Sequence, residues 1–136
     1  MSQLNPYIRF NNNCREAITF YQSVLGGELQ LQTIGETPMR EQMPAETHDR
    51  ILHAELRRDG LVLMGSDMMG SDGVSMGTAY SMVLVCSTKD EIESLYAELA
   101  EGGTIGHPLE EAFFGTIGDC TDRFGVHWML QRPLGA

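Results

Sequence analysis

Apolar and polar residues in the first half of the chain follow a strand-helix-strand pattern. Residues 4–10 alternate as in a short strand, and residues 28–34 alternate in the same way. Between them, apolar side chains recur at helical spacing over residues 14–26. Asn13 lies three residues before Glu16 and is therefore the predicted N-cap of this helix. A Gly-Gly pair ends the helix, because glycine accepts the left-handed conformation of a helix C-cap.

The second half of the chain repeats this pattern, which indicates an internal repeat. We predict a strand over residues 80–86, a helix over residues 89–101 and a strand over residues 104–109. Thr88 and Glu91 have the spacing of a capping box at the start of the helix. A second Gly-Gly pair ends this helix.

Two more strands follow each strand-helix-strand unit. We predict them at residues 51–57 and 61–65 in the first half, and at residues 114–120 and 126–131 in the second. Asp59-Gly60 joins the first pair, and this dipeptide is typical of a tight hairpin turn. The chain therefore has the pattern of two βαβββ modules.

The repeat also predicts the domain organisation. We expect one domain over residues 1–136, with module one at 1–66 and module two at 79–136. A glycine-containing linker over residues 67–78 joins the two modules. Residues 36–49 have no strand pattern and form a predicted long loop of open role, since loops of this length often serve as lids or binding loops.

Composition and charge narrow the functional classes. The chain has 136 residues, of which 42% are hydrophobic and 21% charged, as in an ordinary globular domain. Its 19 acidic and 9 basic residues give a net charge of -10, which disfavours nucleic acid and membrane surfaces as partners. No apolar run reaches the length of a membrane span, and no secretory signal pattern is present at the N-terminus. Three cysteines without a Cys-x-x-Cys pair fit free thiols, so we expect a cytoplasmic protein.

Motifs along nearly the whole chain carry a family resemblance. They are Pro6-Tyr7-Ile8 with Phe10, Cys14 with Ala17-Ile18 and Tyr21, Leu25-Gly26 with Glu28-Leu29, His53-Ala54, Met64 with Ser66-Asp67, and Thr121-Asp122 with Phe124-Gly125-Val126 and Trp128-Met129. In this order they resemble the PhnB-like branch of the vicinal oxygen chelate superfamily, which includes glyoxalase I, bleomycin-resistance proteins and extradiol dioxygenases. The resemblance implies an α+β fold, in which two βαβββ modules curl mixed sheets around a cleft and the helices lie outside. It also implies that small-molecule chemistry takes place inside the cleft.

The resemblance further allows a test for a metal site. Metal-dependent members of the superfamily place one carboxylate or histidine ligand at each of four equivalent strand positions. These positions fall here on Asn5, on Leu63 or Met64, within residues 81–83, and on Met129. None of them is His, Glu or Asp, so we expect no metal and no other cofactor. The branch is sometimes labelled 3-demethylubiquinone methyltransferase-like, but no glycine-rich loop follows a strand to hold adenosylmethionine.

Strand parity selects candidate site residues in the first strand. Ile8 and Phe10 are apolar and belong under the helix, so Tyr7 and Arg9 point the other way, into the implied cleft. Arg9 has two interpretations: it pairs with a Glu or Asp, or it holds a carboxylate, phosphate or phosphonate of a ligand. Tyr7 offers a hydroxyl donor or a stacking face.

The same parity applies to the last strand. His127 shares a face with Met129, while Trp128 and Leu130 are predicted core. His127 either lines the cleft or is a solvated surface residue. His53, in an earlier strand, is either a hydrogen-bonded core histidine or a polar group of the cleft that acts as a general base.

These choices define a predicted site and leave the catalytic question open. His53 and His127 are the candidate catalytic residues. The predicted ligand-binding residues, which we expect to border one cleft, are Tyr7, Arg9, His53, Met64, His127 and Met129.

Two functions remain after these steps. The first is a small-molecule-binding protein without the family metal ligands, whose ligand is a small, partly apolar anion. The alternative is a metal-independent enzyme of the same fold, with lyase, isomerase or transferase-like chemistry, that uses Arg9, Tyr7 and a histidine for acid-base steps. A purely structural module is disfavoured by the implied cleft. We also expect a homodimer, because two such modules leave uncovered strand edges, and whether the dimer swaps modules is left open.

Overall fold

The structure is a computed structural model, and it describes residues 2–67 and 73–134. The chain divides into two compact units, Met1–Ser75 and Met76–Ala136, and each is described by itself. Residues 68–72 of the predicted linker lie outside the described residues. That the two units form one domain stays a prediction.

Unit one contains one helix and one four-stranded mixed sheet, sheet one. Its elements are β1 (Tyr7–Arg9), α1 (Cys14–Leu25), β2 (Glu28–Thr33), β3 (Ile51–Arg58) and β4 (Leu61–Ser66). The strand order is β1-β4-β3-β2. β1 runs parallel to β4, and the other two pairings are antiparallel. This is the predicted βαβββ order.

The core of unit one lies between α1 and sheet one. Ile18 and Tyr21 of α1 are fully buried, as are Ala54 and Leu56 of β3. These residues fall on one face of the helix and on alternate positions of the strand, as the sequence pattern predicts. Ile8 of β1 is buried with them, which confirms the predicted orientation of that strand.

Asn13 is the N-cap residue of α1, as predicted. The side chain of Asn13 makes no capping hydrogen bond. Instead, Oδ1 of Asp67 accepts a hydrogen bond from the backbone N of Cys14 at 2.9 Å. Oδ2 of Asp67 accepts another from the backbone N of Ile51, also at 2.9 Å. The sequence pattern placed Asp67 in the linker. In the structure this residue is buried, and its carboxylate connects the start of α1 to the start of β3.

The segment predicted as a long loop contains short 3-10 turns. They span Ile34–Glu36, Pro38–Glu41 and Ala45–Thr47. The ring Nε2 of His48 lies 3.0 Å from the carbonyl oxygen of Arg40. The segment is therefore folded back on itself by local hydrogen bonds.

Unit two contains one helix and a five-stranded mixed sheet, sheet two. Its elements are β5 (Met82–Val85), α2 (Lys89–Ala100), β6 (Thr104–Ile105), β7 (Glu110–Ala112), β8 (Gly115–Thr121) and β9 (His127–Pro133). The strand order is β5-β9-β8-β6, and β7 also pairs with β8. β5 runs parallel to β9, as β1 does to β4 in unit one. Within the described residues, the two helices and nine strands form an α+β fold, as predicted.

Unit two departs from the prediction of three strands after its helix. The strand predicted over residues 104–109 ends at Ile105, and β7 resumes the pairing with β8 from Glu110. His107 and Pro108 lie in the interruption. Proline has no backbone N–H to give to a strand ladder, which accounts for the break.

The core of unit two is built around β9. Trp128 and Leu130 are buried, as predicted. The indole Nε1 of Trp128 donates to Oδ2 of Asp122 at 2.8 Å, and this carboxylate is itself buried. At the start of α2, the backbone N of Glu91 donates to Oγ1 of Thr88 at 3.1 Å, so the predicted cap is confirmed. Neither helix of the described residues is long and apolar enough to cross a membrane.

Candidate functional site

The face of sheet one that points away from α1 carries most of the predicted site. Tyr7 pairs with Met64 in the register of β1 and β4. The ring of Tyr7 also lies beside the ring of His53, with 6.0 Å between their centroids. We call this surface, with Tyr7, Arg9, His53, Glu55 and Met64, the open face of sheet one. It brings an aromatic ring, an imidazole and a thioether together on three neighbouring strands.

Glu55 is the acidic member of the open face of sheet one. Its carboxylate accepts a hydrogen bond from Nε of Arg57, and its other oxygen lies 3.7 Å from Nε2 of His53. The hydrogen bond from Arg57 is the main cause that holds the pKa of Glu55 below its ordinary value. Glu55 therefore stays ionised at neutral pH and places a negative charge beside His53.

Arg9 differs from Arg57 in its surroundings. Arg57 is engaged by Glu55, whereas Arg9 makes no ion pair with any residue in the described ranges 2–67 and 73–134. Arg9 is exposed, and it follows Tyr7 by two positions on β1, with Ile8 buried between them. Its guanidinium is thus a charge of the open face that no carboxylate of the described chain neutralises.

In unit two, His127 is held by hydrogen bonds at both ring nitrogens. Nδ1 lies 2.8 Å from Oγ1 of Thr121, and Nε2 lies 2.8 Å from the carbonyl oxygen of Gly77. Because a carbonyl only accepts, Nε2 carries the hydrogen and Nδ1 accepts from the threonine hydroxyl in the neutral ring. Tyr80 contacts the ring edge-on, with 5.4 Å between centroids. Neither ring nitrogen is left open for a ligand in this arrangement.

Met129 lies two residues beyond His127 on β9, on the same side of the strand. It pairs with Val83 in the register of β5 and β9. Val83 and Val85 are 50% and 63% exposed. The face of sheet two that points away from α2 is therefore apolar at this end.

The residues at the family's metal positions do not fit a divalent ion. Leu63 or Met64, residues 81–83 and Met129 offer no imidazole and no carboxylate, and Asn5 has only an amide. Within residues 2–67 and 73–134, no group of three or more His, Cys, Asp or Glu side chains is arranged to hold a metal ion.

A surface cavity of about 390 Å³ lies elsewhere on unit one, at the start of α1. Its lining residues are Asn12, Arg15, Glu16, Glu46, Asp49, Arg50 and Asp67. None of the predicted site residues lines it. Four acidic and two basic side chains give it no preference for an anion, and Asp67 already accepts two backbone hydrogen bonds. We therefore place the candidate site on the open face of sheet one.

Sequence reasoning missed Glu55 as a member of this face. Glu55 lies two positions after His53 on β3, so the parity argument used for Tyr7 and Arg9 could have found it. It also missed Asp119, which accepts two hydrogen bonds from His107. No sequence signal pointed to that pair, because it depends on the register across an interrupted strand.

Comparisons with known proteins agree with this fold. The sequence model of the family described as 3-demethylubiquinone-9 3-methyltransferase matches residues 2–131. The chain is 35% identical to Protein YjdN of Escherichia coli (strain K12), over 94% of this chain and 93% of that protein. The crystal structure of protein PA1353 from Pseudomonas aeruginosa is 38% identical, with a TM-score of 0.87 and 98% of each chain covered.

More distant solved structures share the fold. The putative 3-demethylubiquinone-9 3-methyltransferase, PhnB protein, from Bacillus cereus is 25% identical with a TM-score of 0.73, covering 96% of this chain and 99% of that one. The glyoxylase/bleomycin resistance protein/dioxygenase domain from Frankia sp. EAN1pec is 15% identical with a TM-score of 0.62, covering 100% and 95% of the two chains. The chain therefore shares its fold with glyoxylase/bleomycin resistance protein/dioxygenase domains. The predicted resemblance to the PhnB-like branch is confirmed: the chain belongs to the 3-demethylubiquinone-9 3-methyltransferase family.

Proposed function

We propose that the chain binds a small, partly apolar anion on the open face of sheet one, with Arg9 as the anchor. The observation that carries the proposal is the contrast between two arginines of unit one. Arg57 is engaged by Glu55, while Arg9 is exposed and has no ion pair within the described residues. A planar guanidinium without a carboxylate partner suits a ligand carboxylate, phosphate or phosphonate, which it contacts through two parallel hydrogen bonds.

The neighbours of Arg9 suit the rest of such a ligand. Tyr7 is 47% exposed and offers a ring face with a hydroxyl donor. Met64, its partner in the strand register, adds a soft apolar surface. Glu55 repels a second negative charge near His53, so the anionic end of the ligand belongs at Arg9 and the apolar end over Tyr7 and Met64. That His127 and Met129 line the same cleft stays a prediction.

A second candidate function is favoured by one observation. Glu55 lies 3.7 Å from Nε2 of His53, which places a carboxylate beside a candidate general base. His53 would then exchange a proton with a substrate held by Arg9 and Tyr7. The chemistry would be that of a metal-independent lyase, isomerase or transferase-like enzyme. A turnover that depends on pH and is lost in His53→Ala would favour this function over binding alone.

The residues of this chain do not support the methyl transfer named in the family's description. Adenosylmethionine sites need a backbone that approaches the cofactor closely, and glycines after a strand provide this. The two strand-to-helix turns, residues 10–13 and 86–88, contain no glycine. The residues present therefore give no reason to place that cofactor here.

The binding proposal has a direct test. Native mass spectrometry of freshly purified protein would detect a retained small molecule, and calorimetric titration with benzoate and with phenylphosphonate would measure affinity for partly apolar anions. We expect Arg9→Ala to lose about 1.5–3 kcal/mol of binding free energy, the scale of a hydrogen bond to a charged group. Arg40→Ala is the matched control, because Arg40 is exposed outside sheet one. Equal affinities of the wild type and Arg9→Ala, or no binding of either anion, would contradict the proposal.

We also propose that the chain acts as a homodimer in the cytoplasm. β1 and β5 each end a sheet and leave one backbone edge unpaired within that sheet. Exposed valines on β5 add apolar surface beside one of these edges. The three buried free cysteines are consistent with a reducing compartment. A monomer mass from light scattering at micromolar concentration would refute the dimer.

A further inference from the structure

His107 and Asp119 form a closely hydrogen-bonded pair in unit two. The ring Nδ1 of His107 lies 2.8 Å from Oδ2 of Asp119, and the backbone N of His107 donates to Oδ1 at 2.9 Å. The backbone N of Asp119 in turn donates to the carbonyl oxygen of His107 at 2.9 Å. One carboxylate thus holds both the backbone and the ring of the same histidine.

The surrounding residues fix this pair from two sides. The hydroxyl of Tyr96 on α2 lies 3.0 Å from the carbonyl oxygens of both His107 and Asp119. Gly106 lies against the carboxylate, and a Cβ at that position would overlap Oδ1 of Asp119. A glycine is therefore required at 106 for the carboxylate to reach His107. Contacts from α2, from residues 106–107 and from β8 therefore hold the pair in place.

The Nε2 atom of His107 differs from the Nε2 atoms of the other three histidines. His127 has hydrogen bonds at both ring nitrogens, Nε2 of His48 faces two loop carbonyls, and Nε2 of His53 faces Glu55. Nε2 of His107 has no partner among residues 2–67 and 73–134, and its side chain is 88% exposed. In the neutral ring, Nδ1–H is donated to the carboxylate and Nε2 carries the lone pair.

The charge on Asp119 supports this arrangement. Burial by itself raises the pKa of Asp119, but hydrogen bonds from the backbone and ring of His107 outweigh it and hold the pKa below its ordinary value. The side chain of Asp119 remains 34% exposed, so solvent moderates the effect. The other titratable groups near the carboxylate are Tyr96 and Cys120, whose pKa values are raised by burial, and His127.

An apolar surface lies next to the pair. Asp119 pairs with Met129 in the register of β8 and β9. Ile117 lies two positions before Asp119 on β8 and therefore on the same side of the strand. Both apolar side chains are half-exposed. A small molecule that reaches Nε2 of His107 can rest its apolar part on them.

We propose that the His107–Asp119 pair is a proton-transfer site, in which Nε2 of His107 takes the proton of a weakly acidic O–H group on a small, partly apolar substrate. The O–H bond breaks, the proton moves to Nε2, and the electron pair stays on the substrate oxygen. Asp119 stabilises the imidazolium that forms, which later returns its proton to the product or to water. The residues of this site belong to unit two, and the proposal does not depend on the ligand proposed for sheet one.

The test uses 4-nitrophenol, whose ionisation is read by its absorbance. At a pH where the free phenol is mostly neutral, excess wild-type protein should raise the phenolate absorbance. His107→Gln should lower the extent of ionisation about tenfold, the effect of losing one charge-assisted hydrogen bond. His48→Gln is the control and should behave as the wild type, because the ring of His48 is engaged by its own loop. No ionisation by the wild type, or equal ionisation by His107→Gln, would overturn the proposal.

A second measurement separates the role of Asp119 from a purely structural one. Nitrogen NMR of the wild type should show His107 as the Nδ1–H tautomer. Asp119→Asn should shift His107 toward a mixture of tautomers and reduce the ionisation of 4-nitrophenol. A His107 ring protonated at Nε2 alone in the neutral wild type would remove the basis of the proposal, whatever the folding of the variant.

Discussion

The carboxylate of Asp67 accepts a hydrogen bond from the backbone N of Cys14 and caps helix α1 from a distance of 53 residues in sequence. Its other oxygen accepts from the backbone N of Ile51, at the start of β3. One buried side chain therefore satisfies a free N–H of the helix and a free N–H of the sheet. The end of β4, the start of α1 and the start of β3 meet at this point.

Replacement of Asp67 should destabilise unit one. Asp67→Ala leaves two buried N–H groups without an acceptor, and we expect a loss of roughly 3 kcal/mol in the free energy of unfolding. Asp49→Ala is the control, because Asp49 is exposed, and it should change stability by less than about 0.5 kcal/mol. Urea denaturation followed by circular dichroism measures both. Similar midpoints for the two variants would contradict the anchoring role.

Gly115 should tolerate no side chain. Its φ of +137° is rare for other residues, and a Cβ there would overlap the carbonyl oxygen of Arg132. We expect Gly115→Ala to lose more than about 2 kcal/mol of stability. Gly60→Ala is the matched control, because a Cβ at Gly60 would meet nothing within 4 Å. Thermal denaturation should show a large drop in midpoint for Gly115→Ala and not for Gly60→Ala. An unchanged midpoint for Gly115→Ala would contradict this prediction.

Glu55 should contribute to stability in a defined pH range. Its pKa in the folded protein is held below the ordinary 4.5, chiefly by the hydrogen bond from Arg57. A lowered pKa means that the contribution is present above the unfolded-state pKa and is lost as the pH falls through the folded-state pKa. Between pH 6 and pH 3, Glu55→Gln should therefore lose stability less steeply than the wild type. Glu98→Gln, at an exposed position of α2 in the other unit, is the comparison variant. Parallel curves for wild type and Glu55→Gln in urea denaturation would contradict this.

The three cysteines should be unreactive in the native state. All are buried, and burial raises the pKa of Cys14 to about 12 and that of Cys120 to about 11. Burial also raises the pKa of Cys86. Since the thiolate is the reactive form, we expect Ellman's reagent at pH 8 to react about a hundredfold more slowly than with the denatured chain. The denatured protein should yield three thiols, and a fast-reacting thiol in the native protein would contradict the buried placement.

The regular elements of the fold could be predicted because their signals are local. The spacing of Ile18, Tyr21 and Leu25 predicted the face that α1 buries, and Asp59-Gly60 predicted the turn between β3 and β4. Features that depend on distant residues could not be predicted. The carboxylate of Asp67, which caps α1 in place of the Asn13 side chain, is an example, because nothing in the sequence near Asn13 indicates it.

In the candidate site, too, only the features with a local signal could be predicted. Parity placed Tyr7 and Arg9 opposite the buried Ile8, since residues two apart share a face. The partners of these residues depend on tertiary contacts. That Glu55 engages Arg57 and leaves Arg9 without an ion pair within the described ranges is a matter of side-chain geometry, which alternation along a strand does not encode.

The position of Trp128 makes it possible to follow the unfolding of unit two separately. Trp128 is the single tryptophan of the chain, it is buried in unit two, and it donates to the buried carboxylate of Asp122. Its fluorescence is therefore a local optical probe of unit two, whereas far-ultraviolet circular dichroism averages over both helices. If the two units unfold in separate steps, the fluorescence and the circular dichroism will have different midpoints. The order of these midpoints then shows which unit unfolds first.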